Sequence, residues 1–183
     1  MERRDVLRAL GAAAAFTLMP RTAQAAWETI AASPHAPLRV LTDERSALVA
    51  SLADAIIPRT DTPGATDVNV TAFIDVIVAE YYGDDERANF LSGIDLIGAR
   101  LRRGDATSFS ELSAESQKAL LDALDQPVDR QAPDARAWSR LKGLVVHGYF
   151  TSERVQKDVL KTVIMPGRFD GNAPMKTAAA SNG

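Results

Sequence analysis

Apolar residues recur along this chain at helical spacing. Leu48, Leu52 and Ile56 stand four apart and predict a helix over 43–57 with one buried stripe. Thr42 suits its N-cap, Asp43 and Glu44 suit its first turn, and Pro58 ends it. A loop at 58–70 follows, with Thr71 as the expected cap of the next helix. Phe73, Ile74, Ile77, Val78 and Tyr81 give residues 72–82 a broad apolar face. Gly83-Asp84-Asp85 turns the chain into a third helix, 85–103, lined by Phe90, Ile94, Ile97 and Leu101 and stopped by Gly104. Ser113 caps a helix at 114–125 that carries Leu120, Leu121 and Leu124. Pro133 suits the first turn of the helix 134–150, whose stripe is Trp138, Leu141, Leu144, Val145 and Tyr149. A short helix at 153–160 precedes Met165-Pro166-Gly167, and residues 172–183 form a small, polar tail.

No strand-type alternation persists and no repeat occurs. The pattern predicts an all-α fold, an irregular bundle of five to six helices over 42–171. Residues 26–41 are expected to be an extended lead-in, because Pro34 and Pro37 interrupt any helix there.

The segment before the lead-in reads differently. Arg3 and Arg4 head an 11-residue apolar stretch, Ala9 to Met19, that is too short for a membrane span, which needs roughly 20 residues. Ala23-Gln24-Ala25 then supplies a small-x-small cleavage pattern. Residues 1–25 therefore predict a signal peptide, cut after Ala25, with Ala26 as the new start. Glu2-Arg3-Arg4-Asp5-Val6-Leu7-Arg8 resembles the twin-arginine consensus, with Val6 where Phe is commoner and Arg8 where Lys is commoner. That predicts export to the periplasm by the twin-arginine translocase, which accepts folded chains. The same signal often serves proteins that carry a cofactor or a partner across.

Charge and composition narrow the field. A net charge of −3 gives no footprint for nucleic acid or an anionic membrane, and removing residues 1–25 leaves −5. Cysteine is absent, so disulfides, thiolate nucleophiles and Cys-x-x-Cys-His haem attachment are excluded. The chain lacks Gly-x-Gly-x-x-Gly, a P-loop, Gly-x-Ser-x-Gly and His-Glu-x-x-His. Asp54 and Asp61 are candidates for an acid–base pair, set against a solvated helix face for Asp54 and an Asx-type turn for Asp61. His147, beside the Trp138 stripe, reads as a boundary residue before it reads as a ligand. The run from Arg100 to Arg103 reads as a helix end satisfying its dipole. No catalytic, cofactor-binding or metal residue is assigned. Loop prolines and aromatics are free to anchor a partner or to cap the domain's own core. On this ground Pro58, Asp61, Pro63, Gly64, Tyr149, Phe150, Pro166 and Phe169 are the candidate contacts.

Two segments carry a family resemblance. The first is Ala53-Asp54-Ala55-Ile56-Ile57-Pro58 through Asp61-Thr62-Pro63-Gly64-Ala65, with Val70 and Phe73-Ile74-Asp75 behind it. The second is Leu141-Lys142 to Gly148-Tyr149-Phe150-Thr151-Ser152-Glu153, with Pro166-Gly167 and Phe169-Asp170-Gly171 following. Both resemble the family named for the third subunit of gluconate 2-dehydrogenase. Arg59 departs from the pattern, standing where a small or acidic residue is expected.

The resemblance implies a subunit that is not an enzyme by itself. Its large partner, a flavoprotein of the glucose–methanol–choline type, would hold FAD and oxidise a sugar or sugar acid. A multihaem cytochrome c subunit would accept electrons and help hold the complex at the inner membrane. The small subunit would support folding of the flavoprotein and carry it through the twin-arginine route. Two alternatives stand beside this: a free periplasmic binding module with a pocket in the bundle, and an autonomous enzyme using Asp61 and His147.

Overall fold

A computed structural model describes residues 20–33, 36–102 and 109–161. Six α-helices are present among these residues and no strand: α1 (Pro20–Ala32), α2 (Asp43–Ile56), α3 (Val70–Tyr81), α4 (Asp84–Arg102), α5 (Ala114–Asp125) and α6 (Pro133–Thr151). Two 3₁₀ turns, Thr66–Val68 and Phe109–Glu111, and a π-helical turn, Val155–Val159, complete the elements. The fold is an all-α irregular bundle.

The predicted caps act as such. The Thr42 hydroxyl accepts from the Arg45 amide at 3.4 Å, and Ser113 accepts from the Ser116 amide at 3.2 Å. Pro133 is the first residue of α6. Thr71 is not a cap: α3 begins one residue earlier, after Asn69, whose left-handed backbone (φ 58°, ψ 35°) joins the 3₁₀ turn to the helix. At the other end of α3 the Arg87 guanidinium donates to the carbonyls of Val78, Ala79 and Tyr82. A cation at a helix C-terminus satisfies carbonyls that have no partner within the helix.

α4 and α6 form the most extensive helix pair. Ion pairs Glu86–Arg140 and Arg100–Asp134 tie the two ends of α4 to the first half of α6. Arg100 is thus held across the pair rather than only at its own helix end. α3 packs on α6 through Phe73, which lies where a Cβ on Gly148 would come within 2.6 Å of its ring. Only a residue without a side chain lets these two helices approach so closely. The core comprises Val49, Leu52, Phe73, Ile74, Ile94, Ile97, Trp138, Leu141 and Val145, all almost fully buried.

Two further expectations are overturned. Residues 26–41 are not extended throughout, because 26–32 belong to α1. Its stripe of Ala23, Ala26, Trp27 and Ile30 has the i, i+3, i+4, i+7 spacing of a helix face, and it packs on α3 and α6. Tyr81 is not a core residue: it is 41% exposed, and its neighbour Tyr82 is buried instead. α3 ends at Tyr81, and the extended backbone of Tyr82 (φ −91°, ψ 135°) turns that ring inward against Phe90. Arg3 and Arg4 of the predicted leader, residues Pro166 and Phe169, and the segment 172–183 lie outside the described residues.

Candidate functional site

The loop after α2 is held from several sides. The Ala65 amide donates to the Ile57 carbonyl at 3.0 Å and closes the loop at its base. Asp67 accepts from the Gly64 amide at 2.8 Å and forms an ion pair with Arg59. Asp54, at the end of α2, accepts from the Thr66 amide at 3.0 Å and from its hydroxyl. From α6, the Tyr149 hydroxyl donates to the Pro63 carbonyl at 2.8 Å. A Cβ on Gly64 would lie 2.9 Å from the Arg59 nitrogen, so glycine is what lets the two arms of the loop meet.

These bonds place each predicted residue. Asp54 braces the following turn. Asp61 does not build an Asx turn: the turn is organised by the Thr60 hydroxyl, which accepts from the Thr62 amide and donates to Asp61 Oδ1 at 2.9 Å. Arg59 is matched by the acid at 67. Pro58 and Asp61 are exposed, Pro63 is half-buried and Gly64 is buried. Tyr149 is only 4% exposed and, like the buried Gly64, braces the domain itself. Phe150 is 43% exposed and sets the edge of its ring against Tyr149, with centroids 5.3 Å apart. Its face is available to a partner.

His147 is buried, with its ring 5.9 Å from that of Phe73. Burial pushes its pKa below the ordinary value of 6.5, which favours the neutral ring. Asp61 at the loop tip is exposed while His147 is in the core, so an acid–base pair of the two is not assembled. Among the described residues no group of three metal-ligating side chains converges. No helix among them is long and apolar enough to cross a membrane.

Asp75 escapes sequence reasoning. It sits inside the apolar run Phe73-Ile74-Asp75-Val76-Ile77-Val78 and is 2% exposed. Its carboxylate accepts from the backbone amides of Arg39 (2.7 Å), Val40 (3.0 Å) and Leu41 (2.9 Å). One buried acid thereby anchors the segment that feeds α2. The only signal in the sequence is a lone acid in an otherwise apolar helix, which at burial must find donors.

An open cleft of about 390 Å³ lies beside the α4–α6 pair, between Tyr82, Glu86, Phe90, Arg136 and Arg140. Arg140 lies over the Tyr82 ring at 5.4 Å and pairs with Glu86 at 2.5 Å. The Tyr82 hydroxyl is buried with no hydrogen-bond partner among the described residues. Burial pushes its pKa up to about 12, Arg140 opposing and Glu86 reinforcing the shift. A phenol so held is neutral. It has the chemistry of a packing and binding group rather than of a base.

The fold defines a small helical domain whose polar groups mainly brace loops and helix ends. Residues 43–167 match the family described as gluconate 2-dehydrogenase subunit 3, and the chain belongs to that family. Members are subunits of a dehydrogenase complex. No curated protein and no solved structure matches the chain.

Proposed function

We propose that this chain is the non-catalytic small subunit of a periplasmic, FAD-dependent dehydrogenase of sugars or sugar acids. The large subunit, a flavoprotein of the glucose–methanol–choline type, carries out the oxidation and holds the FAD. The small subunit supports its folding and takes it through the twin-arginine translocase. A multihaem cytochrome c is the proposed electron acceptor, holding the complex at the inner membrane. The observation that carries this reading is the family match over 43–167, downstream of the Arg3-Arg4 leader.

The test is co-expression with the proposed flavoprotein partner. Arg3→Lys with Arg4→Lys should trap both chains in the cytoplasm and abolish periplasmic dye-linked dehydrogenase activity. Full export and activity of the flavoprotein in that background would remove the escort role.

A second reading, a free-standing binding module, is favoured by the cleft beside Tyr82. It requires the native protein to be a monomer. Co-elution with a flavoprotein excludes it.

A further inference from the structure

The predicted cleavage site and the fold compete for the same residues. The bond between Ala25 and Ala26 lies in the middle of α1, seven residues from the helix C-terminus. Ala23, the residue a signal peptidase would read two positions before the cut residue, is 1% exposed, and Ala26, just after the bond, is 0% exposed. The residues beyond are tied down as well. Trp27 stacks on Phe73 with centroids 5.1 Å apart, and its indole N–H donates to the Thr151 hydroxyl at 3.0 Å. The Thr29 hydroxyl donates to the Ala25 carbonyl at 3.0 Å, occupying the acceptor of the residue that would be cut.

A protease that reads small side chains at alternate positions takes its substrate as an extended strand. An extended chain advances about 3.3 Å per residue and a helix about 1.5 Å. Seating 23–26 in such a cleft therefore requires unwinding α1 and withdrawing Ala23, Ala26 and Trp27 from α3 and α6. Cleavage then proceeds only through molecules in which α1 has opened, and its rate is scaled by that population.

We infer that docking of α1 seals the processing bond, so that the folded subunit keeps residues 1–25 covalently attached. This rests on the export reading above. A subunit that folds before export, as the twin-arginine route permits, would keep Arg3 and Arg4 on the finished domain. The address would then remain available to a complex assembled around it.

The experiment uses the purified full chain, 19.7 kDa, incubated with signal peptidase in detergent micelles and followed by intact mass. The folded wild type should keep its full mass while the same chain unfolded in urea and diluted into the assay is cut after Ala25. Trp27→Ala, which removes the stack and the indole bond, should be cut roughly tenfold faster than wild type, about 1.4 kcal/mol of easier opening. Thr151→Val, which removes the bond alone, should fall between. If Trp27→Ala does not fold, Thr151→Val decides. Cleavage of the folded wild type as fast as the unfolded chain overturns the inference. So does an unfolded chain that is never cut, or folded variants cut no faster than wild type. None of these outcomes bears on the double-lysine export test, so failure here is distinct from failure of the escort reading.

Discussion

The Tyr149 hydroxyl donates to the Pro63 carbonyl at 2.8 Å, joining α6 to the loop after α2 across 86 residues of sequence. Both ends of this bond belong to the segments that carry the family resemblance. They meet inside one domain, so the bond is an internal brace. Tyr149→Phe should cost about 1 kcal/mol, the net worth of one hydrogen bond, or a Tm lower by roughly 2–4 °C for a chain of this size. Trypsin cutting after the exposed Arg59 should accelerate as the loop loosens. An unchanged Tm together with unchanged cutting would show that the remaining bonds to Asp54 and Asp67 suffice.

Phe150, one residue on, has the opposite fate. Its ring is 43% exposed, so truncation removes little core. Phe150→Ala should change stability by about 1 kcal/mol or less. Under the proposed function it should weaken capture of the flavoprotein about tenfold or more, as expected of an aromatic anchor. A pull-down that is indifferent to the substitution would move the interface elsewhere.

Asp75 supports three backbone amides from inside the core. Asp75→Ala leaves those donors without an acceptor and should cost about 3 kcal/mol or more. Asp75→Asn keeps one carbonyl oxygen and should cost about half as much. Urea unfolding of the two variants checks the order. Equal losses would mean that water replaces the carboxylate.

α6 contains two glycines with opposite expectations. A Cβ on Gly148 meets the Phe73 ring at 2.6 Å, whereas a Cβ on Gly143 meets nothing within 4 Å. Gly148→Ala should destabilise by about 1–3 kcal/mol through overpacking. It should also shift the fluorescence of Trp27, which stacks on that ring. Gly143→Ala should stabilise by up to about 1 kcal/mol, since alanine is the better helix former. Thermal melts of both decide the matter.

The helices from α2 to α6 were legible because each has a strong apolar stripe and a chemically distinct end, such as Thr42, Ser113 or Pro133. α1 was not legible for two reasons. Half of its buried stripe is alanine, which contributes little hydrophobic contrast. It also straddles a motif that reads as a leader end, so the pattern was divided between two segments. The Tyr81–Tyr82 exchange turned on a single residue at a helix terminus, where periodicity no longer dictates direction. The loop at 58–65 announced its turn chemistry through Pro, Thr and Gly. Its partners at positions 67 and 149 depend on tertiary contact and leave no local pattern.

The buried imidazole of His147 gives the fold a pH dependence whose sign follows from its environment. Its folded pKa lies below the ordinary 6.5 because burial penalises the charged ring. Between the two values the unfolded chain binds more protons than the folded one, so stability falls as pH falls. The contribution is therefore fully present above about pH 6.5. It is lost progressively on acidification until the folded pKa is passed. The wild type should melt at a lower temperature at about pH 5.5 than at about pH 7.5. His147→Gln removes the titrating group, and its melting temperature should drop by less over the same interval. The other histidine, His35, is common to both proteins, so the difference between their slopes belongs to His147. Parallel slopes in wild type and variant would show that the imidazole gains a proton as readily in the core as in the unfolded chain.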